Sequence, residues 1–289
     1  MKKTNRRTFL EYTAKGLTAA LALSNIPTEL FANPAVFNDL PIGFQTFTVR
    51  ERLSKDFAGT MKAMADLGYK LTEMCSPQGY SASGFGPIAQ MKTSDIRSMI
   101  TDAGLSCPSC HFGFTELTDK LDDRIEFARQ LGLKHMICST FWLPKTAKLN
   151  DYLVAADKLN AAAEKIKSAG MQAGFHNHSM EFEKLDGELI YDALLKRFDP
   201  ALVKMQFQTE VINLGYKASD YFIKYPGRFI SSHLSDWTGD KKQAPVGKGI
   251  IDWTQFFATA KVAGVEYFFV EMDFDKFKDS ASYIKSLQA

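Results

Sequence analysis

The chain has 289 residues, with 35 Lys and Arg, 33 Asp and Glu, and four Cys. Five of the basic and two of the acidic residues lie in the first 32 positions, which leaves 30 against 31 in the other 257. This balance argues against a nucleic-acid partner, because phosphate binding needs a clustered basic surface. Four cysteines are too few for a disulfide scaffold, and 257 residues suit one large domain.

The first 32 residues have the pattern of an export signal. Arg6 and Arg7 lie in a basic start, residues 17–23 are apolar, and Ala32 offers a small residue for cleavage. The run NRRTFL is typical of a twin-arginine signal, although a basic amphipathic first helix is the alternative. The apolar run is too short to span a bilayer. We therefore predict a signal over residues 1–32, a periplasmic or otherwise exported protein without a stable membrane span, and one domain over residues 33–289.

From residue 41 onward, a short apolar run, a polar turn, an amphipathic helix and a glycine follow one another repeatedly. Strands are predicted over residues 42–49, 71–76, 105–112, 135–141, 171–178, 203–214, 229–237 and 267–274. Helices are predicted over residues 57–67, 93–103, 117–131, 149–169, 189–197, 253–263 and 277–287. Five helices are predicted to end at a left-handed glycine, at Gly68, Gly104, Gly132, Gly170 and Gly264. Eight such units predict a (β/α)₈ barrel. An open doubly wound sheet is the alternative, but no glycine-rich phosphate loop follows the first strand.

Polar residues gather where the predicted strands end, which is where a (β/α)₈ barrel places its active site. These residues are Glu73, His111, Trp142, His176, His178, Glu181, Gln208, Glu210, His233, Asp236, Trp237 and Glu271. His176 and His178 lie two residues apart, so in a strand both imidazoles point to one side. A single strand histidine is more often a core residue, but agreement among seven strands predicts a shared polar site.

The segment Cys107-Pro108-Ser109-Cys110-His111 has the spacing used for c-type haem attachment. It lies within an apolar run, LSCPSCHF, and no predicted helix opens at the motif. We therefore interpret it as a buried strand, with haem attachment and a redox-active cysteine pair as the alternatives.

Four motifs together, FHNHSMEF, SSHLSDW, APVGKGIIDW and FVEMD, resemble the xylose isomerase-like barrel superfamily over residues 40–289. Within it, the chain resembles exported bacterial sugar phosphate isomerase/epimerase-type proteins. The resemblance implies one divalent metal (Mn, Zn, Co, Fe or Mg), with ligands at His176, Gln208, His233 and Glu271. Relatives usually have Glu, Asp, His and Glu at these positions, so this chain keeps one anionic ligand. Glu210 would reach the site if its strand bulges, and a metal-free polar pocket is the alternative.

The resemblance also implies proton removal next to the carbonyl of a sugar. Glu271, His176, His178 and Glu181 are the candidate catalytic residues. The candidate substrate-binding residues are Glu73, His111, Trp142, Asp236, Trp237 and Lys248. Other interpretations stay open: His178 as a group that orients a neighbour, Glu181 as a helix-terminal acid and Glu73 as a surface carboxylate. Packing explains Phe47 better than stacking on a sugar, and Asp236 and Trp253 fit a structural role, with Asp252 capping the helix that Trp253 opens.

The predicted function is therefore a carbohydrate isomerase or epimerase that acts on a small-molecule sugar. A free or glycosidic sugar is favoured over a phosphorylated one, because no phosphate-binding loop is visible and the protein is predicted to be exported. The alternatives are a 3-keto-sugar lyase or hydratase and a sugar-binding protein without activity. An oligomer is possible.

Overall fold

The computed structural model describes residues 41–287, so the predicted signal over residues 1–32 lies outside the described part of the chain. Eight parallel strands close into a barrel, which confirms the predicted fold class. The strands are β1 (Ile42–Gln45), β2 (Leu71–Cys75), β3 (Ser106–Phe112), β4 (His135–Cys138), β5 (Gln172–His176), β6 (Val203–Gln208), β7 (Phe229–Leu234) and β8 (Tyr267–Val270). Each strand pairs with its neighbours in the chain, and β8 closes the barrel against β1.

Helices connect the strands and surround the barrel. They are α1 (Arg50–Lys55), α2 (Phe57–Asp66), α3 (Gly86–Ala89), α4 (Thr93–Asp102), α5 (Phe114–Asp119), α6 (Leu121–Leu131), α7 (Leu149–Ser168), α8 (Ile190–Arg197), α9 (Ala218–Lys224), α10 (Trp253–Ala263) and α11 (Phe277–Ser286). The single helix predicted over residues 117–131 is wrong, because the backbone leaves the helical region at Lys120 and separates α5 from α6. The short helices α1, α3 and α9 were not predicted. The five predicted helix-ending glycines all have positive φ, and Asp252 caps α10 through Gln255 N at 2.9 Å.

Seven of the eight barrel strands end earlier than predicted, and after β1 and β6 the chain continues directly as a 3₁₀ turn. The turns are Thr46–Val49 after β1 and Thr209–Leu214 after β6. In each case the glutamine that ends the strand accepts a hydrogen bond from the backbone two residues on: Gln45 from Phe47 N at 2.9 Å and Gln208 from Glu210 N at 3.4 Å. This local bond competes with continued strand pairing. The prediction that Glu210 lies on a strand beside Gln208 is therefore wrong.

The amino-terminal half of the barrel interior is apolar. A Cβ atom at Gly43 would lie 2.4 Å from the Phe269 ring, and one at Gly174 would lie 2.5 Å from Ile137 Cδ1. Glycine at these two positions lets Phe269 and Ile137 fill the barrel centre. The interior must be filled because an empty cavity costs stability in proportion to its volume. This filled layer forms the floor beneath the polar groups.

The cysteine-containing segment forms β3, as the buried-strand interpretation predicted. Cys107 and Cys110 are buried, and all four cysteines are free thiols. Burial raises the pKa of Cys107 to about 12, with a smaller contribution from the charge of Glu73, so the thiol stays protonated. Between Pro41 and Leu287, no helix is both long enough and apolar enough to cross a membrane.

Two short antiparallel ribbons extend from the carboxyl-terminal end of the barrel. One pairs Lys184–Leu185 with Glu188–Leu189 after β5, and the other pairs Asp236–Trp237 with Gln243–Ala244 after β7. The helix predicted over residues 189–197 therefore starts one residue later, at Ile190, because Leu189 belongs to the first ribbon.

Candidate active site

Ten polar side chains lie in the carboxyl-terminal half of the barrel interior or at the mouth of the barrel. They come from seven strands: Gln45, Glu73, Ser109, His111, His176, Gln206, Gln208, Ser231, His233 and, directly after β8, Glu271. Three pairs are two residues apart on one strand, so both members point inward. The structure thus brings six of the predicted strand-end residues to one place: Glu73, His111, His176, Gln208, His233 and Glu271.

Glu73 is the centre of this network and has no exposed surface. Its carboxylate accepts hydrogen bonds from three neutral side chains: Gln45 Nε2 (2.8 Å), Ser109 Oγ (2.6 Å) and Gln206 Nε2 (2.8 Å). It also contacts His233 Nε2 at 2.5 Å and His111 Nε2 at 3.2 Å. Burial would raise the pKa of Glu73, but the two imidazoles hold it well below its ordinary value.

Glu73 was predicted to bind substrate or to lie on the surface. The surface interpretation is wrong, because the side chain is fully buried. Hydrogen bonds from Gln45, Ser109, Gln206 and His233 occupy the roughly four acceptor positions of the carboxylate, so none is left for a substrate. Its place is beneath the site, where it orients His111 and His233.

His233 lies between two carboxylates. Its Nε2 faces Glu73, and its Nδ1 lies 3.0 Å from Glu271 Oε2. Burial would lower the pKa of His233, but the charges of Glu271 and Glu73 raise it to about 9. Burial likewise opposes ionisation of Glu271, but His233 lowers the pKa of that carboxyl. Gln208 Nε2 donates to the same Glu271 oxygen at 2.6 Å.

His111, His176 and His233 can hold a metal ion, since one nitrogen from each ring lies within 4.8 Å of the others. His176 is 1% exposed, and neither ring nitrogen has a hydrogen-bond partner within residues 41–287. Burial, reinforced by the three neighbouring histidines, lowers the pKa of His176 well below its ordinary value. A neutral imidazole with a free nitrogen is the form that binds a metal.

The surroundings of His233 also fit a metal. A metal-binding histidine usually donates its other ring N–H to a carboxylate, which fixes the tautomer and the ring orientation. Glu73 is placed to accept that proton from Nε2, and a metal at Nδ1 would replace the proton that this nitrogen shares with Glu271. His176, Gln208, His233 and Glu271, the four predicted ligands, therefore surround one region. His111 was predicted to bind substrate, and the structure places it in the imidazole cluster instead.

The predicted catalytic residues His178 and Glu181 have different environments. The His178 ring lies edge-on to His176, with centroids 4.8 Å apart, and its Nδ1 has no partner in the described chain. Burial lowers the pKa of His178 to about 4. Glu181 accepts from His178 N at 2.7 Å, and burial raises its pKa to about 7. His178 is the residue that precedes the 3₁₀ turn Ser179–Phe182, and Glu181 bonds its backbone N–H, so Glu181 matches the helix-terminal alternative.

Asp236 was predicted to bind substrate, with a structural role as the alternative. Its carboxylate accepts hydrogen bonds from five donors, all in the loop after β7 or in α10: Trp237 N, Gly247 N, Gly249 N, Ile251 N and Trp253 Nε1. A Cβ atom at Gly249 would lie 2.1 Å from Asp236 Oδ1, so this approach requires glycine. Asp236 therefore holds the loop together, and Lys248 is exposed on that loop.

The aromatic candidates Trp237, Trp142 and Phe47 have three different environments. Trp237 is half-buried, and its Nε1 donates to Ser235 Oγ at 3.3 Å; that hydroxyl in turn bonds Gln208 Oε1 at 3.3 Å. Trp142, in the loop after β4, is 72% exposed and has a φ of +52°. Phe47 packs edge-on against Tyr80, and the Arg50 guanidinium lies 4.3 Å above its ring, in agreement with the packing interpretation.

Four residues of the network received no predicted role: Gln45, Ser109, Gln206 and Ser231. Spacing could have indicated three of them, because each lies two residues before a predicted site residue on the same strand. Gln206 connects the layers, since His111 Nε2 lies 2.6 Å from its Oε1 and its Nε2 reaches both Glu73 and Ser231. Gln45 pairs in register with Glu73 on the neighbouring strand.

The fold and the polar carboxyl-terminal end define a (β/α)₈-barrel protein with an enzyme-like site. Residues 61–288 match the family model described as xylose isomerase-like TIM barrel, and the chain belongs to this family. The resemblance drawn from the sequence motifs is thereby confirmed. A sequence comparison with curated proteins gives no significant match.

Solved structures share the fold at low identity. A sugar phosphate isomerase/epimerase from Parabacteroides distasonis is 24% identical, with a TM-score of 0.73 over 86% of this chain and 94% of that one. A D-allulose 3-epimerase from Methylomonas sp. is 13% identical, with a TM-score of 0.63 over 86% and 98%. A probable 3-DHS dehydratase from Bacillus anthracis is 11% identical, with a TM-score of 0.65 over 85% and 98%.

Proposed function

We propose that the protein is a sugar isomerase or epimerase that moves a proton at a carbon next to a carbonyl group. The observation that carries this proposal is the position of His233 at the barrel mouth, between two groups: the ionised Glu271, 3.0 Å from its Nδ1, and His176, whose ring centroid lies 4.4 Å away and whose buried ring nitrogens are unpaired. The names of two structural neighbours, a sugar phosphate isomerase/epimerase and a D-allulose 3-epimerase, support this class.

Glu271 is the base in this proposal. Both of its hydrogen bonds use Oε2, and the side chain is 18% exposed, which leaves Oε1 to face a substrate. The carboxylate takes the proton from the carbon, the C–H electron pair forms a carbon–carbon double bond, and the carbonyl π pair moves onto its oxygen to give an enediolate. Isomerisation is completed when Glu271 returns the proton to the former carbonyl carbon and the proton of the adjacent hydroxyl moves to the former carbonyl oxygen.

Epimerisation needs a second group on the other face of the sugar. Glu210 is half-buried at the same end of the barrel, and burial, together with the charge of Glu271, raises its pKa. Two carboxyl groups with pKa values shifted in opposite directions suit one acid and one base. His178, with its unpaired Nδ1, is the other group placed to exchange a proton here.

A divalent metal is part of the proposal. His111, His176 and His233 would hold it beside Glu271, and it would polarise the oxygen atoms of the sugar. Imidazole-rich sites favour zinc, cobalt and iron, whereas magnesium prefers oxygen ligands. Because Gln208 is neutral, Glu271 is the one anionic side chain among the four predicted ligands. Three imidazoles with a single carboxylate suit a transition metal better than magnesium, so we propose a transition metal.

Solvent deuterium incorporation tests the function. The full-length chain is incubated with a panel of keto-sugars in D₂O, and products are analysed by NMR and mass spectrometry. Proton transfer at carbon places deuterium next to the carbonyl, and Glu271→Gln should lower the exchange rate by about 10²-fold or more. Absence of exchange with every sugar would contradict the proposal.

The neighbour named a probable dehydratase favours a second candidate, a lyase or hydratase that begins with the same proton removal. Product mass separates the two reactions. An isomerised sugar keeps its mass apart from the deuterium, whereas elimination of water or cleavage of the sugar changes it. Sugar binding without exchange would support the non-catalytic binding protein.

A further inference from the structure

A second cleft lies at the amino-terminal end of the barrel, opposite the imidazole cluster. Its volume is about 440 Å³, which is in the range of small-molecule sites. It is lined by the first residues of β2, β3 and β8, which are Leu71, Ser106 and Tyr267, and by the last turns of α4 and α6. We call it the amino-terminal cleft. Because the active site of a (β/α)₈ barrel forms at the other end, this cleft is separate from the candidate active site.

Two cations line the amino-terminal cleft. Arg97, on α4, lies against Gly132, where a Cβ atom would be 3.7 Å from the guanidinium carbon, and Lys134 follows two residues later. Within residues 41–287 neither side chain forms an ion pair. Arg97 Nη1 donates to Gln130 O at 3.2 Å, and its Nε and Nη2 groups have no partner in the described chain. Arginine with free N–H groups of this kind binds the two oxygens of a carboxylate.

Polar groups beside Lys134 complete this wall. Lys134 Nζ donates to Tyr267 Oη at 3.2 Å, and the Tyr267 O–H has no acceptor in the described chain, so it can donate to a ligand. Behind Tyr267, the His135 ring lies edge-on with centroids 5.0 Å apart, and its buried Nδ1 has no partner among residues 41–287. Burial lowers the pKa of His135 to about 4, so the ring is neutral. A buried polar atom without a partner costs stability, so packing alone does not explain this end of the barrel.

The other wall of the amino-terminal cleft is apolar. Leu71, Ile100 and Leu131 line it together with Pro41 and Pro108. An apolar wall cannot replace the hydration of a bare inorganic anion, whereas it gains free energy from contact with hydrocarbon. The ligand that fits both walls therefore carries a negative charge on an apolar body.

We propose that the amino-terminal cleft binds an organic acid, with its carboxylate between Arg97 and Lys134 and its hydrocarbon body against Ile100 and Leu131. The Tyr267 hydroxyl donates to the same carboxylate. Two cations without ion pairs and one free donor match the charge and the acceptor positions of a single carboxylate. The site lies at the opposite end of the barrel from Glu271 and the imidazole cluster, so it is independent of the proposed function.

Titration calorimetry on the full-length chain tests the organic-acid site. Hexanoate is compared with acetate, which lacks most of the hydrocarbon, and with 1-hexanol, which lacks the charge. Hexanoate should bind at least about tenfold more tightly than either. Arg97→Gln combined with Lys134→Gln should weaken hexanoate binding by about tenfold and leave 1-hexanol binding unchanged.

The matched control combines Arg129→Gln with Lys158→Gln. It removes the same two charged groups from exposed positions on α6 and α7 that do not line the amino-terminal cleft, and it should change hexanoate affinity by less than about twofold. All four substituted side chains are exposed, so both variants should fold, and circular dichroism checks this.

Four results would overturn the organic-acid site. The first is hexanoate affinity equal to that of acetate or of 1-hexanol. The second is a loss in the control variant as large as the loss in the Arg97 and Lys134 variant. The third is hexanoate binding that disappears in His176→Ala but persists without the two cations, which would place the acid in the imidazole cluster. The fourth is the absence of saturable hexanoate binding up to about 10 mM.

Discussion

Replacing Glu73 with glutamine tests the buried network beneath the cluster. The substitution keeps the shape of the side chain but removes its negative charge. It also replaces one carboxylate oxygen by an amide N–H₂ group, which is a donor and faces other donors. One or more of the four hydrogen-bonded donors then loses its acceptor. Breaking a buried charge pair by removing one partner costs about 3–5 kcal/mol. For a domain of this size we expect a Tm lower by about 6–20 °C.

The cost should also depend on pH. The pKa of His233 is raised to about 9, from about 6.5 in an unfolded chain. Its ion pairs therefore stabilise the fold fully below pH 6.5, and this contribution is lost as the pH rises through 9. The shift corresponds to about 3 kcal/mol. Because Glu73→Gln removes one of the two carboxylates that raise this pKa, its destabilisation should be larger at pH 6 than at pH 10.

Urea unfolding followed by circular dichroism, at pH 6 and pH 10 with EDTA present, measures both effects. Glu210→Gln is the matched control, since its carboxylate accepts no hydrogen bond within the described chain, and we expect a change within about 0.5 kcal/mol. A cost below about 1 kcal/mol for Glu73→Gln, or the same cost at both pH values, would refute the reasoning.

Three further changes probe the site and its loop. Gln208→Asp adds a second carboxylate beside Glu271, so calorimetry should show tighter Mn²⁺ binding, and without metal the Tm should fall; unchanged Mn²⁺ affinity would remove Gln208 from the ligand set. His176→Ala should weaken Zn²⁺ or Co²⁺ binding by about 10²-fold or more; without metal, the loss of stability should be that of the cavity left by the buried ring, because the ring nitrogens have no partners to lose. Asp236→Asn replaces one acceptor oxygen by a donor among five N–H groups. The loop after β7 should then become sensitive to limited proteolysis, and the free energy of unfolding should fall by about 2–4 kcal/mol. A loop that stays undigested would contradict the role given to Asp236.

Much of the fold follows from local patterns. The apolar runs, the helix-ending glycines and the alternation of the elements predicted the eight strands, and the structure confirms the barrel. Two of the errors in strand length lie where a side-chain hydrogen bond determines the end of the strand. The side chains of Gln45 and Gln208 accept hydrogen bonds from the backbone two residues later, and each starts a 3₁₀ turn. The presence of a glutamine at the end of a predicted strand does not indicate that such a hydrogen bond forms.

The sequence alone also determined which strand ends carry His176, His233 and Glu271, because parallel strands in a barrel end on one face. Only the tertiary structure decided what each group can do. Glu73 and Asp236 are carboxylates at strand ends like Glu271, but Glu73 accepts hydrogen bonds from four side chains on four other strands, and Asp236 accepts from five N–H groups of its own loop and of α10, which exhausts the acceptor positions of both. His176 is buried without a partner and remains available. Burial and hydrogen-bond saturation depend on residues far apart in the chain, so no local pattern reveals them.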